Sequence, residues 1–250
     1  MAKQTKGYCK YCAKEYTRTG IVKHLVSCKE RKVKLEDLKE EVSYYELVLY
    51  GKYNKDYWLV IQINENATLQ DLDQFIRNIW VECCGHLSAF EICGQRYEAF
   101  PQEDCFWGEP AKSMDCKLKD KLEQGMKIEY EYDYGSTTEI VITVQDYYGA
   151  PAQKEKITIL SRNKAPQFLC SQCGENIADW VDPTRFYEKD TFLCEECLEK
   201  YEEGEMDEES EEYGVNPEYL LPICNSPRMG VCGYEGSSCY PEEFEPDKKM

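Results

Sequence analysis

Residues 127–144, KIEYEYDYGSTTEIVITV, constrain the fold more than any other stretch of the chain. The first half of this stretch alternates aliphatic or tyrosine side chains with acids: Ile128, Glu129, Tyr130, Glu131 and Tyr132. A period of two is typical of a strand that buries one face. Turn-type residues at 135–138 separate it from a β-branched run, so the pattern predicts two strands joined by a tight loop.

The segments around this hairpin predict an α+β domain over residues 44–163. Two β-rich runs, YYELVLYGKY and DYWLVIQI, come before a segment whose apolar residues have helical spacing. Thr68 is placed to cap that helix, with Asp71 three residues later and Gly85 as a stop. Strand patterns follow in HLSAFEIC, QRYEAF and EKITILSR. The order predicts a mixed β-sheet with one main packed helix, a β-grasp-like arrangement.

Three motifs of this domain stand in a recognisable order and spacing: WLVIQINENATLQDLDQFIRNIW, HLSAFEI and KIEYEYDYG. Together they resemble the plasmid pRiA4b ORF-3-like family, whose members often carry the label of transposon passenger protein. The tail segment LLPICNSPRMGVCGYEG resembles the C-terminal extension of longer members. The resemblance implies an association with mobile elements and brings no established biochemical activity. Where the family tends to have Asp, Trp and His, this chain has Ser136, Thr138 and Ile140.

The N-terminal residues 1–34 have the cysteine and histidine spacing of a zinc finger. Cys9 and Cys12 form a C-x-x-C pair, and His24 and Cys28 follow four residues apart, on one face of a predicted helix. Two cysteines on a turn and a His and a Cys on a helix can form a closed tetrahedral zinc site. The pattern resembles CCHC zinc fingers with a hairpin-plus-helix shape.

A second metal pattern is formed by two cysteine pairs near the C-terminal end. Cys170 and Cys173 make one C-x-x-C pair, and Cys194 and Cys197 make another, with twenty residues between the pairs. Two pairs at this spacing favour one Cys₄ zinc site over two redox motifs. We therefore predict a zinc-ribbon-like module over residues 164–202 and, with the finger, two zinc ions.

Charge is unevenly distributed along the chain. The whole sequence carries a formal charge of −18, whereas ten Lys or Arg against two Glu give residues 1–34 a formal +8. This basic segment is predicted either to contact nucleic acid or to fold back onto the acidic remainder. The side chains that would meet nucleic acid are Lys10, Lys14, Arg18 and Lys23.

Two further segments are predicted to be connections. Residues 35–43 would link the finger to the sheet domain, and residues 203–250 would form an acidic linker and an irregular tail. No histidine or second cysteine pair accompanies Cys224, Cys232 and Cys239 in that tail. A third metal site is therefore not predicted.

The sequence contains no recognised catalytic motif. Neither GxxxxGK[ST] nor GxSxG is present. His86 lies outside the finger and is expected to be structural, although a nucleophilic pairing with Cys83 or Cys84 is an alternative. The hypothesis is a zinc-binding, non-enzymatic interaction protein that binds nucleic acid or a protein. The alternatives are a metal-dependent hydrolase or nuclease-like enzyme, and a zinc-stabilised protein–protein adaptor.

The sequence predicts a cytoplasmic protein that makes no use of a membrane. No apolar run reaches the ~18 residues that a membrane span needs. The N-terminus is basic but has no apolar stretch behind it, so it does not match a secretory signal. An odd number of cysteines, fifteen, also fits metal binding better than complete disulfide pairing.

Overall fold

The computed structural model describes residues 4–36, 41–101, 110–185, 192–202 and 217–247. Its N-terminal part is a short hairpin followed by two helices: β1 (Lys6–Tyr8), β2 (Glu15–Thr17), α1 (Arg18–Ser27) and α2 (Lys29–Glu36). Its central part contains eight strands and one α-helix: β3 (Glu41–Gly51), β4 (Trp58–Asn64), α3 (Leu69–Ile76), β5 (Ser88–Ile92), β6 (Gln95–Glu98), β7 (Lys112–Ser113), β8 (Lys127–Tyr132), β9 (Thr138–Pro151) and β10 (Ile157–Arg162). Its C-terminal part adds three short strands and a helix: β11 (Trp180–Val181), β12 (Phe192–Leu193), α4 (Glu195–Glu202) and β13 (Leu221–Pro222). Residues 203–216 of the predicted acidic linker lie outside the described residues.

The central strands form one sheet in the order β10-β4-β3-β9-β8-β5-β6-β7. Every neighbouring pair is antiparallel except β6 and β7, which are parallel. The predicted hairpin of β8 and β9 lies inside this sheet, with Ile128 opposite Ile142. The α+β class with a mixed sheet and one main packed helix is therefore confirmed.

Alternation in β8 produces the half-buried strand that the sequence predicts. Ile128, Tyr130 and Tyr132 are fully buried, while the acids between them are only partly buried on the other face. The strand ends because Asp133 adopts a left-handed conformation with φ 66°. Partner strand β9 continues to Pro151, well past the predicted hairpin, because it also pairs along the whole of β3.

Helix α3 covers one face of the sheet. Thr68 accepts a hydrogen bond from the Asp71 N–H, and the Asp71 carboxylate accepts one from the Thr68 N–H, so the predicted cap is a complete capping box. A π-helical turn, Arg77–Val81, extends the helix and ends it before the predicted stop at Gly85. The buried side chains of α3 and of this turn pack with residues of the strands that face them, among them Leu47, Leu49, Leu59, Ile61, Ile63, Phe90, Tyr130 and Ile142.

The opposite face of β3, β4 and β10 is covered by the N-terminal hairpin and α1. Val48, Trp58, Val60 and Leu160 form a buried cluster with Cys9, Cys12, Ile21, Leu25 and Cys28. Strand β4 is buried at every position except its last, as expected for a strand covered on both sides. The N-terminal unit is thus a third layer of the structure, since it supplies the second half of the core.

Backbone hydrogen bonds fix this layer to the edge strand β10. The N–H of Lys10 donates to the carbonyl of Leu160 at 2.9 Å, and the N–H of Lys164 donates to the carbonyl of Lys6 at 2.7 Å. Gly7 lies between them, where a Cβ atom would come within 2.0 Å of the Arg162 carbonyl oxygen. Glycine is required there because the two backbones approach so closely.

The helices of the described segments are all too short, or too polar, to cross a membrane.

Candidate metal centres

The first centre brings together the four predicted ligands of the finger. One ligand atom from each of Cys9, Cys12, His24 and Cys28 lies within 4.8 Å of all the others. Cys12 Sγ is 3.2 Å from His24 Nε2. The three cysteines are buried and the histidine is partly buried, so the group is closed to bulk water on most sides. The four residues could hold one metal ion.

Local backbone structure places these ligands. The N–H of Ala13, at φ 56°, donates to the Cys9 carbonyl at 2.9 Å and closes a tight turn around the first pair. His24 lies in the last turn of α1, and its ring stacks on Tyr16 with 4.1 Å between centroids. The predicted single helix through Cys28 is wrong: α1 ends at Ser27, because Cys28 is extended at ψ 116°. Its carbonyl instead accepts the first hydrogen bond of α2.

The second centre contains the two C-terminal cysteine pairs. Ligand atoms of Cys170, Cys173, Cys194 and Cys197 lie within 4.8 Å of one another. The first pair repeats the turn of the finger, since the N–H of Gly174, at φ 70°, donates to the Cys170 carbonyl at 2.9 Å. The second pair begins directly after β12, and its second cysteine lies in the first turn of α4. These residues could also hold one ion.

The ligand groups of the two centres differ in how readily they lose a proton. Burial raises the pKa of Cys9 to about 12, so this group is a thiol until a cation replaces its proton. Burial also raises the pKa of Cys170, but hydrogen bonds from backbone N–H groups of Cys173 and Cys194 outweigh it and bring the value to about 7. Desolvation lowers the pKa of His24 and keeps the ring neutral, as a ligand must be. Sulfur and imidazole ligands in fours suit Zn²⁺.

A third cluster was missed in the sequence. Cys83, Cys84, His86 and Cys232 also have ligand atoms within 4.8 Å of one another. Cys84 Sγ lies 2.9 Å from His86 Nε2 and 3.9 Å from the sulfur of Cys232. The sequence treats the first three as separate thiols and a structural histidine, and Cys232 as unsupported. The C-C-x-H motif formed by Cys83, Cys84 and His86 was the one available clue, because Cys232 is distant in the chain.

The environment of the third cluster contains a buried ion pair. Arg228 is fully buried and donates to Asp133 Oδ2 at 2.8 Å and to Cys83 Sγ at 3.4 Å. Burial raises the pKa of Asp133, but hydrogen bonds from Arg228 and from the N–H groups of Gly135 and Ser136 lower it to about 2. The Asp133 carboxylate is therefore charged, and its oxygens accept hydrogen bonds from these donors.

A Cys–His–Asp catalytic arrangement is not formed here. A catalytic histidine receives the nucleophile on one ring nitrogen and the carboxylate on the other. In this structure Cys84 Sγ and Asp133 Oδ2 both approach the same nitrogen of His86, Nε2, at 2.9 and 3.5 Å. The convergence of several groups on one nitrogen fits a shared cation better than a nucleophile and its base.

A cavity of about 260 Å³ opens beside His86 and contains carboxylates. Asp73 and Glu82 both line it, but Arg77 binds both of them, at 2.8 and 2.6 Å. Asp73 also accepts hydrogen bonds from Ser88 and Tyr130. Asp73 and Glu82 are thus committed to a structural network of ion pairs and hydrogen bonds.

The four residues predicted to meet nucleic acid fall into two groups. Lys10 pairs with Asp247 at 2.7 Å, and the guanidinium of Arg18 lies 4.0 Å from the centroid of the Tyr50 ring. Both are turned toward the rest of the protein. Lys14 and Lys23 are exposed. Part of the basic segment has therefore folded back, which is one of the two outcomes that the charge distribution predicts.

Comparisons with known proteins give a family match for the central sheet domain. The model of a family described as plasmid pRiA4b ORF-3-like protein matches residues 45–175, just over half of the chain. No curated protein matches. A solved structure with similarity is that of a protein of unknown function, MM3350, from Methanosarcina mazei Go1. It is 23% identical, with a TM-score of 0.40, over 48% of this chain and 68% of that one. The family match runs from β3 through β10 and reaches the first cysteine pair of the second centre.

Proposed function

The chain belongs to the plasmid pRiA4b ORF-3-like protein family, and from that premise we propose that it is a zinc-binding, non-enzymatic interaction protein. The observation that carries the proposal is the convergence of four ligand atoms in each of the first two centres. Each centre uses four protein ligands, so a tetrahedral ion has no open position for substrate. A cytoplasmic location and an association with mobile elements are part of the proposal, the latter on the family resemblance alone.

The position of the first centre supports a structural role for its ion. Its ligands Cys9, Cys12 and Cys28 are members of the buried cluster that covers Val48 and Trp58 of the sheet. An ion there would hold the covering layer in shape. Metal-dependent hydrolysis or nuclease activity is the less supported alternative, because it requires an exchangeable ligand position and unpaired carboxylates.

Metal content tests the zinc assignment directly. Replacing Cys12 with serine is expected to give one bound zinc fewer per chain than the unchanged protein, and replacing Cys194 with serine is expected to remove a different one. Loss of one of four ligands greatly weakens a closed site. Elemental analysis together with native mass spectrometry gives the number of ions.

Cys93 supplies the control, since it is exposed and belongs to none of the three clusters. Cys93→Ser should keep the full metal content. Unchanged zinc in both Cys12→Ser and Cys194→Ser would remove the basis of the proposal.

The partner of the finger is proposed to be nucleic acid, bound through Lys14 and Lys23. These two lysines are exposed, and neither has an ion pair with the rest of the described chain. Phosphate contacts by lysine are sequence-independent and weaken steeply with salt. Lys10 and Arg18 are not expected to contribute, because they already contact Asp247 and Tyr50.

A gel-shift titration of the full chain tests this partner. The double replacement Lys14→Glu and Lys23→Glu should abolish the shift of duplex DNA or RNA at low salt. For the unchanged chain, each lysine should contribute about one unit to the slope of log K against log salt. Lys154→Glu, an exposed lysine outside the finger, is the matched control. Equal binding by all three proteins would contradict the proposed surface.

A protein–protein adaptor is the second candidate. It is favoured by the internal contacts of Lys10 and Arg18, which remove two of the four predicted phosphate-binding side chains from the free surface of the finger. Absence of any gel shift at low salt, with zinc still bound, would favour the adaptor over the nucleic-acid partner.

A further inference from the structure

The geometry points to a third zinc site, formed by Cys83, Cys84, His86 and Cys232, that ties the C-terminal segment to the end of helix α3. Three of the ligands lie in the loop between α3 and β5, and the fourth comes from the tail. The inferred ligand is a single thiophilic cation, with Zn²⁺ the expected ion. Three sulfurs and one imidazole form one of the common structural zinc sets.

The sulfur–sulfur distances and one sulfur–nitrogen distance of the cluster are close to those of a tetrahedron around zinc, whereas Cys84 Sγ and His86 Nε2, at 2.9 Å, lie closer than in such a tetrahedron. Ordinary Zn–S and Zn–N bonds place two sulfurs about 3.8 Å apart and a sulfur and a nitrogen about 3.5 Å apart. The sulfur of Cys84 is 3.6 Å from that of Cys83 and 3.9 Å from that of Cys232, and His86 Nε2 is 3.3 Å from Cys232 Sγ. A disulfide needs about 2.05 Å between sulfurs. The spacing therefore fits a cation between the groups.

Arg228 supplies the second observation. Three thiolates and one Zn²⁺ carry a net charge of −1, which is costly near a protein interior unless hydrogen-bond donors contact the sulfurs. The buried guanidinium of Arg228 lies against this cluster and donates to Cys83 Sγ at 3.4 Å. The same residue is held by Asp133, Thr138 and the carbonyl of Ser136. These contacts fix the position of the guanidinium. It can therefore donate a hydrogen bond to a zinc-bound thiolate, as residues around metal ligands commonly do.

The tail is already placed for such an attachment. Ser226 donates to the Trp80 carbonyl at 2.5 Å, and the side chain of Tyr234 is buried beside the turn that contains Cys232. Cys232 itself has φ 52°, in the left-handed region, and its sulfur lies 3.9 Å from that of Cys84 in the loop before β5. A metal bond to this residue would close a ring of more than 140 residues between Cys84 and Cys232.

Exposure distinguishes this site from the other two. Cys84 and Cys232 are exposed and Cys83 and His86 are partly buried, whereas most ligands of the first two centres are buried. A chelator reaches an exposed ion more easily. We therefore expect this ion to leave first when a chromogenic chelator is added to the zinc-loaded protein.

The experiment compares bound zinc in the full chain and in three variants, measured by native mass spectrometry and elemental analysis. Cys84→Ser and Cys232→Ser should each contain one ion fewer than the unchanged protein and lack the fast phase of zinc release. Cys239→Ser, an exposed cysteine of the same tail outside the cluster, should keep the full number and the fast phase. Both ligand positions are exposed, so both variants should keep the far-ultraviolet circular dichroism of the unchanged protein.

Two results would overturn the inference. One is equal zinc content and equal release kinetics in Cys232→Ser, Cys84→Ser and Cys239→Ser. The other is a disulfide-linked peptide of Cys84 with Cys232 or Cys83 in protein purified under reducing conditions. The outcome is independent of the first two centres, because Cys12→Ser and Cys194→Ser report on those ions separately.

Discussion

Replacing Cys28 with serine is expected to lower the free energy of unfolding by several kcal/mol, together with the loss of one zinc ion. Structural zinc in small fingers contributes roughly 10–16 kcal/mol of apparent binding free energy. Cys28 lies in the same buried cluster as Trp58 and Val60. When the ion is lost, the covering layer loses its shape and the second face of β3 and β4 becomes exposed to water. Urea unfolding and zinc content measure the two effects on the same sample.

The fluorescence of Trp58 identifies the layer that moves. Its side chain is only 1% exposed under the finger, and its ring N–H donates to Thr5 at 3.0 Å. Emission should shift to the red in Cys28→Ser, and this shift should be absent when the same replacement is made in a Trp58→Phe background. Cys93→Ser serves as the matched control. If Cys28→Ser retains the ion and the unfolding midpoint of the unchanged protein, Cys28 is not needed for metal binding or for packing of the finger on the sheet.

Patterns that are local in the sequence predicted most of the elements and the first two centres. The alternation in β8 and the Thr68–Asp71 capping box depend on residues close in the chain, and both form as predicted. The ligands of the finger and of the second centre occur as pairs at recognisable spacings, and the structure brings each set together. Interactions between residues close in the chain, namely those of strand pleating, helix capping and tight turns, are sufficient to predict these features.

The packing of the finger on the sheet could have been predicted from one overlooked pattern. Strand β4 has apolar residues on both faces, in WLVIQI, and such a strand requires cover on both sides. The helix α3 covers only one of them. On the other face, Ile21 and Leu25 of α1 join Val60 in one buried cluster.

The third cluster could not be assembled from the sequence. Cys84 and Cys232 are 148 residues apart, and each looks like an isolated thiol in its own segment. What joins them is the path of the tail across the end of α3, which depends on contacts such as Ser226 with the Trp80 carbonyl. No periodic pattern in residues 223–240 indicates that path.

Replacing Arg228 with methionine is expected to destabilise the protein by about 3–5 kcal/mol, because it leaves the charge of Asp133 without its partner. The Arg228 side chain is 0% exposed and that of Asp133 is 8% exposed, so water cannot replace the lost interaction. Thr138 and the carbonyl of Ser136 lose a hydrogen-bond donor as well. The free energy of unfolding, from urea titration, measures the cost.

Lys127→Met provides the matched control for a lost ion pair. Lys127 and Glu129 are 3.0 Å apart, but their side chains are 57% and 43% exposed, so the loss should be within about 1 kcal/mol. Adding Asp133→Asn to Arg228→Met removes the stranded charge, and the double variant should recover part of the loss, with a coupling energy on the order of 1–3 kcal/mol. A loss of stability in Arg228→Met no larger than that in Lys127→Met would contradict this expectation. It then follows that the tail is held by its backbone and by Ser226, and that the ion pair beneath the third cluster contributes nothing measurable to that attachment.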